Sequence, residues 1–145
     1  MICYAVIDTN ILVSALLSDK NDAATVQVIK KIISGNIIPI YSYDITHEYK
    51  IVLNRKKFKF SKENIDFLLN SIFHFGILFE PTFYDFSLPD IKDLPFYLVA
   101  TQTQDKNSFL VTGNIKHFPT EPFIVTPRQL INILNENSLT LNNLE

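Results

Sequence analysis

The apolar positions of this chain fall into short runs of two kinds. Ile2 to Ile7 is continuously apolar, as expected for a strand covered on both faces in a parallel sheet, and Asp8-Thr9-Asn10 ends it. Ile11 to Leu17 and Ala23 to Ile33 carry helical spacing, with Gly35-Asn36 as a stop signal. Ile37 to Tyr41 reads as a short strand. Asp44 to Leu53 and Ser61 to Phe75 read as two further helices, and Gly76 to Glu80 as a strand entering the loop Pro81 to Lys92. Leu94 to Thr103 is apolar almost all round, which predicts a buried helix with Pro95 tolerated in its first turn. Ser108 to Thr112 and Phe123 to Val125 are the remaining strands. Thr126-Pro127-Arg128-Gln129 then supplies an N-cap, a proline at the first helical position and a capping-box glutamine. Strands alternating with helices predict an α/β fold with a central, mostly parallel sheet. One domain over 1–137 is expected, with a frayed, Asn-rich tail at 138–145.

Composition narrows the class. With 145 residues, 47% of them hydrophobic and 19% charged, the chain has enough apolar surface for one core and fits neither a disordered segment nor a coiled coil. No apolar run reaches the roughly 18 residues of a membrane span, and no basic leader precedes the first strand, so a cytoplasmic protein is expected. Cys3, the single cysteine, is expected to be a buried apolar residue. The net charge of −2 argues against nucleic acid only if charge is evenly spread, and it is not. Lys50, Arg55, Lys56, Lys57, Lys59 and Lys62 lie in a segment without an acid, whereas Glu80, Asp85, Asp90 and Asp93 share theirs with Lys92 alone.

Several chemistries are excluded. Three glycines form no phosphate-cradling loop, the three histidines and Cys3 lack zinc-ligand spacing, and no nucleophile elbow occurs. Carboxylates remain. Asp8 ends the first strand, where open α/β sheets present ligands, although taken alone it is more simply explained as an N-cap or turn residue of the helix that follows. Glu48 lies on the edge of the stripe Ile45, Tyr49, Val52 and Leu53, where it leans toward the core or pairs with Lys50 or Arg55. Asp93 and Asp90 both suit the cap of the buried helix. Asn114 follows the Phe109 to Thr112 strand as an oxygen donor or a turn residue. Brought to one sheet edge, three carboxylates repel and take up protons unless a divalent cation keeps them ionised. Oxygen-only donors suit Mg²⁺ or Mn²⁺, and such a centre suits phosphodiester hydrolysis.

Four blocks carry a family resemblance. Val6-Ile7-Asp8-Thr9-Asn10-Ile11-Leu12-Val13-Ser14-Ala15 is the first, and Glu48-Tyr49 followed by Val52-Leu53 the second. Asp90-Ile91-Lys92-Asp93 with Phe96 and Ala100 is the third, and Leu110-Val111-Thr112-Gly113-Asn114 with His117-Phe118-Pro119 the fourth. In this order they resemble a PIN domain, and more narrowly its toxin–antitoxin branch, over Ile2 to Leu134. The resemblance implies a three-layer α/β/α fold and a Mg²⁺- or Mn²⁺-dependent endoribonuclease. It further implies a homodimer and a cognate antitoxin of a type II pair. It makes Asp8, Glu48 and Asp93 the metal-binding acids and adds Asn114 to the catalytic set, where many members have a fourth Asp. Thr9 and Asn10 are expected to orient Asp8, Thr112 to supply a hydroxyl near the site, and Asp90 to act from the outer shell.

The basic segment then gains a reading beside that of a solvated turn. Arg55, Lys56, Lys57 and Lys59 are expected to contact the RNA backbone, with Phe58 and Phe60 either stacking on bases or anchoring the helix pair. A catalytically weak domain that binds RNA or protein is the alternative, motivated by Asn114. A phosphatase or phosphoacceptor domain is disfavoured, because Asn10 and Ile7 stand where such folds want a further acid near Asp8.

Overall fold

The computed structural model describes residues 1–82, 88 and 90–144, with side chains described as far as residue 137. In chain order the elements are β1 (Cys3–Ile7), α1 (Thr9–Leu17), α2 (Ala24–Ile33), β2 (Ile37–Tyr41), α3 (Tyr43–Leu53) and α4 (Lys62–Phe75). They continue with β3 (Ile77–Leu78), α5 (Leu94–Gln102), β4 (Phe109–Val111), β5 (Ile124–Val125) and α6 (Pro127–Leu144). The strands form one sheet in the order β3-β2-β1-β4-β5, every pair parallel. Helices flank it in a three-layer α/β/α arrangement, with α5 packed on β1 and β4, and α2 and α4 on β2.

The continuous apolar pattern of the first strand has the expected cause. Ala5, Val6 and Ile7 are wholly buried at the centre of the sheet, with neighbours on both edges. Cys3 is buried, and burial pushes its thiol up to about 11, which makes it an inert core residue. The helix ends follow local chemistry. Ser42 and Ser61 accept from the backbone N–H three residues on and cap α3 and α4. At α6 the capping box closes in both directions, Thr126 N to Gln129 Oε1 at 2.8 Å and Gln129 N to Thr126 Oγ1 at 3.2 Å. The α6 backbone is helical to Leu144, through most of the segment expected to fray, and Glu145 lies outside the described residues.

The expected strand Gly76 to Glu80 is shorter, confined to Ile77–Leu78, with Phe79 N–H still reaching Tyr41 O at 2.8 Å. Gly76 is required by close approach: a Cβ there would lie 2.5 Å from Ile72 O and 2.6 Å from Pro39 O, both backbone atoms. Asp85 of the acidic segment lies outside the described residues. Among the described residues no helix is long and apolar enough to cross a membrane.

The strand order determines where a ligand can enter. The chain moves from β1 to β2 on one side and returns, after β3 and α5, to β4 on the other, so β1 and β4 border the point where the winding reverses. The crevice outside the carboxyl ends of such strands is where open α/β sheets bind ligands.

Candidate active site

Asp8 leaves the carboxyl end of β1, and Thr112 leaves that of its neighbour β4. Asp8 occupies the N-cap position of α1 but makes no side-chain cap hydrogen bond, so the capping explanation fails for it. Its carboxylate instead turns across the strand boundary. Thr112 Oγ1 donates to Asp8 Oδ2 at 2.7 Å, and Asn114 N–H donates to Thr112 Oγ1 at 3.0 Å. The hydroxyl thus spends its proton on Asp8 and its lone pair on the backbone. Asp8 is 6% exposed. Burial pushes its carboxyl up to about 6, the Thr112 hydrogen bond opposes the rise, and the charges of Asp93 and Glu48 add to it.

Glu48, half-buried on α3, reaches the same edge. Thr9 donates its hydroxyl to Glu48 Oε2. Thr9 therefore orients Glu48 through its hydroxyl, while its backbone hydrogen-bonds to Asp8 and holds that carboxyl down. Neither Lys50 nor Arg55 forms an ion pair with Glu48 among the described residues. Its carboxyl is raised by burial first and by Asp93, against the Thr9 hydrogen bond and the positive charges of Lys92 and Arg55. Beneath it, the buried Tyr49 hydroxyl donates to Ile7 O at 2.5 Å and ties α3 to the last residue of β1. Burial, with Asp8 and Glu48 behind it, keeps that phenol well above its usual range and hence neutral.

Asp93 closes a 3-10 turn, Ile91–Asp93, and sits at the N-cap position of α5. It too makes no side-chain cap hydrogen bond. The capping is done by Asp90, whose Oδ1 accepts from Lys92 N–H at 2.9 Å. Asp90 is thereby spent locally, and Asp93 is left for another purpose. Its Oδ2 is buried, and its partner is the His117 ring, with Nδ1 3.3 Å away. The Asp93 carboxyl is raised by burial and by Asp90, and lowered by His117.

Asp8, Glu48 and Asp93 are mutually linked, since the charge of Asp93 raises both others and that of Glu48 raises Asp8. Each is shifted toward its neutral form chiefly by burial. Oxygen-only donors in that state match the chemistry of a hard divalent cation. They are not already closed on a common point: among the described residues no three of His, Cys, Asp or Glu form a ready-made metal cage.

The remaining predicted residues are placed differently. Asn114 is exposed and joins the network through its backbone N–H. Asn10 Oδ1 accepts from Gly113 N–H at 3.5 Å, a contact with the loop after β4. Arg55, Lys56, Lys57 and Lys59 lie exposed in the turn between α3 and α4. There Phe58 and Phe60 stack on each other with centroids 5.2 Å apart, Lys57 Nζ lies 5.1 Å from the Phe58 centroid, and Phe60 packs against the core. Phe60 thus ties the turn to the core. Sequence reasoning missed Tyr49, His117 and Lys92 as parts of the site. A buried tyrosine needs a hydroxyl partner, which is a usable signal for Tyr49. His117 and Lys92 act through contacts that exist only once α5 lies beside β4.

No curated protein and no solved structure matches the chain. A family model described as PIN domain matches residues 4–116, a span that takes in Asp8, Glu48, Asp93 and Asn114. PIN domains are generally nucleases that use divalent metals, and this chain belongs to the PIN domain family.

Proposed function

We propose that this chain is a Mg²⁺- or Mn²⁺-dependent endoribonuclease. The observation that carries the reading is the coupling of three carboxylates at one sheet edge: Asp93, whose buried Oδ2 faces His117, beside Asp8 and Glu48, which burial and mutual repulsion hold toward neutrality. Asp8, Glu48 and Asp93 would hold the cation. A divalent cation bound there supplies Lewis-acid activation of water and neutralises charge on the scissile phosphate.

The chain's own residues prepare that site. Thr112 fixes one oxygen of Asp8, and Thr9 fixes one of Glu48, so neither carboxylate must be ordered when substrate arrives. Tyr49 fixes the backbone of Ile7 directly before Asp8. In hydrolysis a water oxygen bonds to phosphorus in line with the departing 3′ oxygen, leaving a 5′-phosphate and a 3′-hydroxyl, the product pair that the motif resemblance implies. The exposed cations Arg55, Lys56, Lys57 and Lys59 offset the repulsion between RNA and a carboxylate site.

The toxin role within a type II pair, with a cognate antitoxin, a homodimer and a cytoplasmic setting, rests on the resemblance of the four motif blocks alone. The second reading, a domain that binds RNA or protein without cutting, draws on Asn114 and on the absence of a closed cage of acids among the described residues. One experiment separates them: purified protein is incubated with single-stranded RNA and Mn²⁺ or Mg²⁺, with and without chelator, beside Asp8→Asn and Asp93→Asn. The nuclease reading expects cleavage that chelator abolishes and that falls at least about a hundredfold in each variant. Cleavage indifferent to chelator and to both substitutions would refute it, and RNA bound but never cut would favour the second reading.

A further inference from the structure

A groove of about 330 Å³ opens beside Glu48. Its lining takes in one face of α3 and its end, where Asp44, Glu48, Val52 and Arg55 recur at helical spacing with Ile51 between them, together with Lys92 from the turn before α5. Arg55 and Lys92 are exposed and line the same groove as Glu48, so both cations border the space in front of it. Ile51 is 52% exposed and lies among these polar groups. Lys56, Lys57 and Lys59 do not line the groove.

We infer that this groove is the subsite for the nucleotide next to the scissile phosphate, with its own phosphate on Arg55 and Lys92 and its base or ribose on Ile51 and Val52. The inference rests on the nuclease reading and deepens it by splitting the basic segment in two. Arg55, with Lys92 from the acidic segment, makes a local contact. The lysines at the tip of the turn act only through their general field. The volume is at the small end of ligand sites, suited to one nucleotide. Asp44 and Glu48 are acids of the same lining and balance Arg55 and Lys92; Glu48 is turned toward Thr9 and the acid cluster, which leaves the two cations for a phosphate. Only an unpaired nucleotide can turn its base into such a groove, because a base within a duplex is stacked and paired.

The test uses full-length protein and a fluorescent single-stranded oligoribonucleotide. Binding is measured by anisotropy across a salt series in an Asp8→Asn background, and KM and kcat are measured with Asp8 intact. Arg55→Ala/Lys92→Ala is compared with Lys31→Ala/Lys106→Ala, which removes equal charge from segments that lead into β2 and β4 at the opposite edge of the sheet. The groove variant is expected to bind about tenfold more weakly, with a salt slope shallower by about 0.7 for each phosphate left without its cation. Its KM should rise by a larger factor than its kcat falls. A groove variant that matches the charge-matched control in affinity, slope and KM overturns the subsite while leaving the nuclease reading intact. Failure of the intact chain to bind RNA overturns both.

Discussion

At neutral pH Asp8 is mostly ionised in surroundings that disfavour the charge, since burial and two neighbouring acids raise it to about 6 from an ordinary 3.8. The folded protein therefore holds this proton more tightly than the unfolded chain does. Its contribution to stability is best below 3.8, declines as pH rises from there to about 6, and is level above that. A shift of about two units corresponds to about 3 kcal/mol at most. Without divalent cations, Asp8→Asn should thus raise the neutral-pH unfolding free energy by about 1–3 kcal/mol, less whatever the altered Thr112 contact costs. The gain should fade toward pH 4. Denaturant melts of both proteins in chelator at several pH values check this; a substitution that destabilises at pH 7 would show that Asp8 supports the fold more than it strains it. Stability set against activity at one residue is the pattern expected of a functional acid.

At the level of elements, local sequence chemistry is legible where it is self-contained. The Thr126 and Gln129 capping box, the continuous apolar run of β1 and the buried α5 all form where the pattern places them. The short 3-10 turn Ile91–Asp93 is not legible in this way, because its cap, Asp90, looks equally suited to α5 itself. Nor does spacing show which of two nearby acids is used up as a cap. Gly76 is a similar case: its φ of −98° makes no demand for glycine, and its necessity comes from Pro39 on a different strand. Gly76→Ala must move the backbone of α4 or β2, since a Cβ would press on carbonyl oxygens of both. A loss of about 2–4 kcal/mol in chemical denaturation is the expected result, in the range of overpacked sites. A near-neutral effect would mean that the β3 edge yields without cost.

Across the whole molecule, what sequence could not supply is adjacency. Asp8 and Thr112 are 104 positions apart, and they meet only because β4 returns to the side of β1 opposite β2. Convergence of the acids requires these strands to be neighbours, and the parallel register of Val6 with Leu110 and Ile7 with Val111 makes them so. The same long-range assembly reconciles the net charge of −2 with a nucleic-acid substrate, since the acids gather at one edge while Arg55 and Lys92 stand at a groove beside them. An assembly of repelling, part-neutralised carboxylates has a consequence for the molecule as a unit. A divalent cation that binds the folded chain and not the unfolded one stabilises it by mass action, about 2.7 kcal/mol at a hundredfold excess over Kd. Mn²⁺ or Mg²⁺ should therefore raise the melting temperature at pH 7.5 by several degrees, and the rise should shrink below pH 6 as protons compete for the same oxygens. Asp8→Asn and Asp93→Asn should each lose most of it. Scanning fluorimetry with NaCl at matched ionic strength as the reference separates site binding from screening. An equal rise in both variants, or in NaCl, would mean that the three acids do not act together on a cation.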